Sequence, residues 1–215
     1  MLFLHNTSRV DDEPYPTLLQ DKGFGGFPSL AFMDAEGEVL AEPQGRDVAD
    51  FETALAALIK WRALAEKADR TSAEEAELLL AELDLGKLAF DAARERYAAL
   101  DGLTDAQKAK IENELLFLEV ADIQKKVGRD RSKIPEANAA IAAMAKAGRI
   151  PTDAGMRAMR FWGPVMAHAD ETKDVELFEQ GVNVAHAVLG DDPRGARYLE
   201  SIDKRLAELK SGQEK

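Results

Sequence analysis

The feature that most constrains this chain is a change of hydrophobic period near Asp47. Before it, apolar residues come in short runs separated by turn formers. MLFLH at the start and SLAFM at Ser29–Met33 read as strands. NTSRVDDEPYP between them reads as loop, and Pro16–Lys22 as a short helix stopped by Gly23. Asp34-Ala35-Glu36-Gly37 is a turn signal, and Glu38–Ala41 is the strand returning from it. After Asp47, an N-cap candidate, the period becomes helical. Val48, Phe51, Leu55, Leu58 and Ile59 share a face, which Trp61 and Leu64 extend toward Ala68.

Helix signals then follow one another to the end of the chain. Thr71 and Glu74 have capping-box spacing, opening a helix to about Leu83 that Gly86 ends. Phe90–Leu100 is the next helix, closed by Asp101-Gly102. Thr104 caps a long one carrying Ile111, Leu115, Leu118 and Ile123 that Gly128 stops. Ile134–Ala147, Asp153–Ala169, Asp174–Leu189 and Pro193–Leu209 complete the series, and SGQEK is a tail. Roughly seven or eight helices with short connections make antiparallel neighbours. The fold class expected is α/β in a first module of about residues 1–60, then an all-α helical-hairpin array over 61–211, with 212–215 as tail. The chain is predominantly helical overall.

Charge and composition remove several function classes. The formal net charge is −12, the wrong sign for a nucleic-acid partner. Residues 1–70 hold 13 acids and 7 bases, 71–123 hold 13 and 5, and 124–215 hold 14 and 16. The acidic excess thus lies in the first 123 residues. No apolar run is long enough to span a bilayer. The N-terminus, as written, lacks the basic and apolar regions of a secretion signal, which reads as cytoplasmic. The chain has no cysteine, which removes disulfides, thiolate metal sites and dithiol chemistry. No cofactor is expected.

Segment Gly26-Phe27-Pro28-Ser29-Leu30-Ala31-Phe32-Met33-Asp34, then Gly37-Glu38-Val39-Leu40, Gly45 and the helix Asp47–Leu58, resembles the C-terminal part of a thioredoxin-like domain over about forty residues. It is similar to the thioredoxin-like proteins of some environmental bacteria that carry a helical extension. The resemblance implies a cis peptide at Pro28 and a peptide-contact loop at Gly26, Phe27 and Pro28, where the Phe27 backbone pairs with an extended peptide. Gly26, without a side chain, lets a ligand backbone approach. The family's dithiol and the strand between those matching MLFLH and SLAFM are both missing here. The unpaired strand edges have three resolutions: the natural start lies upstream, the two strands pair directly, or another chain supplies a strand. Further on, Ala76–Leu100 resembles one tetratricopeptide unit, with small residues Gly86, Ala92 and Ala93 where its helices would meet. No repeat of about 34 residues recurs after it.

Other candidates have plainer readings. His5, His168 and His186 show no metal-ligand spacing and read as structural or surface histidines. Asp11-Asp12-Glu13 and Glu74-Glu75-Glu77 sit in a loop and at a helix start, where solvated acids belong. Ser8 and Ser29 lack a base partner, and Gly23-Phe24-Gly25-Gly26 lacks the lysine of a phosphate loop. The basic run Lys125–Lys133 reads as an exposed helix–helix loop, with docking of an acidic partner as the sharper alternative. Phe161-Trp162-Gly163-Pro164 places two aromatics beside a helix break, read first as core packing.

The leading expectation is a non-catalytic protein- or peptide-interaction protein, with a redox-inactive thioredoxin-like module on a helical scaffold. The alternative is the C-terminal piece of an exported thiol–disulfide oxidoreductase, whose dithiol and signal lie upstream of Met1; an in-frame Cys-x-x-Cys there would favour it. A third reading is a homodimer in which two copies complete each other's sheet.

Overall fold

The structure is a computed structural model that describes Tyr15 and residues 17–24, 28–43, 45–153, 155–190 and 192–213. Among these the chain is predominantly helical, with one small sheet of two strands. The expected strand MLFLH lies outside the described residues. The chain divides into two compact units, residues 1–87 and 88–215. The boundary anticipated at residues 60–61 falls inside a helix.

In the first unit, helix α1 spans Leu18–Asp21 and Gly23 ends it with a positive φ of 77°. Strand β1, Phe32–Met33, pairs antiparallel with β2, Val39–Ala41. Phe32 opposes Ala41 and Met33 opposes Val39, so Leu40 is an extra residue on β2. The turn is built as its sequence predicts. Gly37 adopts φ 81°, and the Glu38 amide donates to the Asp34 carboxylate (2.8 Å).

Helix α2, Val48–Ala65, is capped when the Asp47 amide donates to the Asp50 carboxylate (3.0 Å). Phe51 meets Phe32 edge-to-face at 6.1 Å, joining helix to sheet. Helix α3, Ser72–Asp84, carries the expected capping box. The Glu74 amide donates to Thr71 Oγ1, and the Thr71 amide donates back to Glu74. Helices α2 and α3 pack together, and Arg70 closes their turn by donating to the Leu64 and Lys67 carbonyls and pairing with Glu75.

The second unit contains α4 (Phe90–Ala98), α5 (Asp105–Val127), α6 (Ile134–Lys146), α7 (Ala158–Thr172), α8 (Val175–Leu189) and α9 (Ala196–Gln213). A single 3-10 turn, Arg131–Lys133, precedes α6. Each helix packs chiefly on its neighbour in sequence. The core is one cluster around Ile141, Phe161, Trp162, Val165, Met166 and Val182. Gly181 brings α7 and α8 close, since a Cβ there would lie 2.2 Å from Met166 Cγ.

Three local expectations shift. Helix α7 starts at Ala158, because residues 155–157 form a turn in which the Ala158 amide donates to the Gly155 carbonyl. Helix α9 starts at Ala196, after a turn held by Asp192. No helix break accompanies Pro164: α7 runs through it, and the buried pair Phe161–Trp162 packs edge-to-face at 5.5 Å in the core. The division at Lys87–Leu88 assigns α3 to the first unit and α4 to the second.

Candidate functional site

A groove of about 530 Å³ lies in the second unit between α4, α5 and the strap joining α6 to α7. Helical spacing brings Phe90, Arg94 and Tyr97 to one face of α4, and Ala109, Glu112, Asn113 and Leu116 to the facing side of α5. The strap contributes Gly148, Arg149, Ile150 and Thr152. The floor is apolar, formed by buried Leu115 and Leu116, and Ile150 on the rim is exposed.

Polar contacts pin the strap to α5. Arg149 donates to Glu119, and the Thr152 amide donates to Asn113 Oδ1 (2.9 Å). At the far end Arg157 forks onto Glu114 with bonds of 2.8 and 2.6 Å, its guanidinium 4.1 Å from the Phe117 ring centre. Glu114 is the one buried charged side chain among the described residues. These three ties fix the wall of the groove against its floor.

On the other wall Tyr97 donates to Glu112 (2.7 Å). Burial, reinforced by that carboxylate, pushes the Tyr97 hydroxyl up to about 12. Its single hydrogen goes to Glu112, which fixes the hydroxyl in place and leaves its oxygen as an acceptor. Arg94 lies 5.6 Å over the Phe90 ring and 3.6 Å from Asp91. The site therefore combines an apolar floor with charged and hydrogen-bonded side chains at its edges.

The residues singled out from sequence are placed as follows. Gly26 and Phe27, with His5, Ser8 and Asp11–Glu13, lie outside the described residues. Pro28 is an exposed bend. Glu74, Glu75 and Glu77 pair with Lys67, Arg70 and Lys60, which makes them cap and surface ion pairs. His186 contacts Asp203 at 2.8 Å on the exposed side of α8, and the His168 carbonyl accepts from Thr172. Lys125, Arg129, Arg131 and Lys133 are exposed at the α5–α6 turn, while Lys126 pairs with Asp122. Among the described residues no three acidic or histidine side chains converge to hold a metal ion, and no helix is long and apolar enough to cross a membrane.

Sequence reading missed the groove. One signal was present: Glu114 stands one helical turn from Ile111 inside the apolar run of α5, and a carboxylate there requires a cation. Its partner lies 43 residues away, beyond any local pattern. No family model, curated protein or solved structure matches the chain.

Proposed function

We propose that this chain is a non-catalytic interaction protein whose helical second unit binds an extended peptide segment of another protein. The observation that carries the reading is the open groove between α4, α5 and the 148–152 strap. Its volume of about 530 Å³ lies in the range of ligand sites. Its apolar floor takes one or two side chains, while Arg94 and the side-chain amide of Asn113 stand at its edges. Its polar groups fit binding better than reaction: the Tyr97 hydroxyl donates to Glu112, and Arg149 is committed to Glu119. The sequence carries no thiol for redox work. A thioredoxin-like character of the first module remains part of this proposal, supported by the β1–β2 hairpin leading into α2. With it stands the loop Gly26, Phe27 and Pro28 as a second peptide contact.

The test is an array of immobilised octapeptides of varied sequence, probed with the full chain. Binders are then remeasured as fluorescein-labelled peptides by anisotropy. We expect saturable binding that Ile150→Asp and Tyr97→Ala each weaken by about tenfold or more. Absence of saturable binding, or binding indifferent to both substitutions, overturns the groove as the site. Pro28→Ala, measured in parallel, reads out the loop contact.

A further inference from the structure

We infer that a second copy of this chain docks on the outward face of α2, antiparallel to it. The apolar face of this helix is wider than the part that its own unit covers. Ala54 and Leu58 are buried and Phe51 packs on Phe32. Beside that covered stripe, on the same broad apolar face, Val48, Leu55 and Ile59 are 75%, 45% and 64% exposed. At 3.6 residues per turn, Val48, Glu52, Leu55, Ile59 and Arg62 fall within an arc of roughly 80°. Their four-three spacing is that of a seam between paired helices. Exposed Ala49, Ala56 and Ala63, seven residues apart, flank the seam and leave room for close approach of a second helix. A charged residue at every outward position would keep such a face in water; here the seam has Glu52 and Arg62 alone among its central positions.

Those two charges identify the occupant. In an antiparallel pair centred near residue 57, Leu55 of each copy opposes Ile59 of the other. Glu52 of each then opposes Arg62 of the other. The apolar centre is bracketed by two opposite-charge pairs, and the arrangement is closed by a twofold axis. A parallel pair would instead set Glu52 on Glu52 and Arg62 on Arg62. The groups are available for this. Glu52 has no ion pair among the described residues, and Arg62 holds only Glu66, at 3.2 Å, with both side chains largely exposed. An exposed pair of that kind is weak and exchangeable. A seam on a single 18-residue helix belongs to the small, reversible class of interface.

Sedimentation velocity of the full chain over a range of concentrations, at physiological ionic strength, tests this. We expect the mass to rise from one copy toward two. Leu55→Glu should weaken the association by about thirtyfold or more. Glu52→Arg should weaken it by about tenfold, and Glu52→Arg combined with Arg62→Glu should restore it to near the starting value. The substituted positions are exposed, and unchanged far-UV circular dichroism checks the fold of each variant. A single copy at every concentration overturns the inference. So does a dimer that Leu55→Glu leaves intact, which would place the contact elsewhere, or a charge swap that fails to restore association, which would exclude the antiparallel pairing.

Discussion

Gly45 shows how one residue fixes a junction. A Cβ on it would lie 2.2 Å from Asp50 Oδ2, the oxygen that accepts from the Asp47 amide at the start of α2. We expect Gly45→Ala to displace that carboxylate and lower stability by about 1 kcal/mol, the cost of a lost cap, measured by urea unfolding. Asp50→Asn should bring part of the loss without the clash. Glu74 supplies a pH dependence. Hydrogen bonds from Lys67, then from the Thr71 amide, hold its carboxyl down at about 2, against 4.5 for an ordinary glutamate. A carboxylate with a depressed folded pKa stabilises above its unfolded pKa, and that contribution fades as pH falls through the folded value. Stability of the chain relative to Glu74→Gln should therefore be constant above about pH 5 and shrink between pH 4.5 and 2, as read by thermal unfolding across that range.

At the scale of elements, the strap between α6 and α7 depends on groups that α5 presents. Glu114 is buried and Arg157 reaches it from outside, with side-chain exposures of 10% and 39%. Removing the cation alone leaves an uncompensated carboxylate, so Arg157→Met should cost about 1–3 kcal/mol and speed amide exchange at Gly148, Arg149, Ile150 and Thr152. Replacing both as Glu114→Leu with Arg157→Met should recover most of the stability but leave the strap mobile, which separates the two effects.

The same elements show what a sequence can disclose. Starts marked by Asp47, Thr71, Thr104 and Asp174 were legible because a cap is a contact between residues three apart, and stops at Gly23, Gly86 and Gly128 because a left-handed turn favours glycine. The β1–β2 hairpin was legible through Asp34 and Gly37. The late starts of α7 and α9 were not, since Asp153 and Pro193 carry start signals while the turns after them continue for several residues. The groove was illegible for a different reason: its ties join residues 30, 39 and 43 apart, and no periodicity reports on such pairs.

Across the whole molecule, burial is unequally shared. Before Ser72 only Ala41, Ala54 and Leu58 are buried among the described residues. In the second unit Ile141, Phe161, Val165 and Val182 sit in one continuous cluster fed by α5 through α9. A two-stranded hairpin with strands of two and three residues is marginal without a large apolar face to cover, while a helical core of this kind sets the global stability. The two should therefore open separately. In native-state hydrogen exchange, amides around Ile141, Phe161 and Val165 should exchange only through global unfolding. Those of Phe32–Asp34 and Val39–Ala41 should exchange about a thousandfold faster or more, with little dependence on denaturant. Gly181→Ala sharpens the contrast, because the added methyl meets Met166 and overpacks the α7–α8 contact by about 1–3 kcal/mol. It should accelerate exchange in the second unit while leaving the hairpin amides at their rate. Equal acceleration in both regions would mean that the hairpin and the helical core open as a single cooperative body.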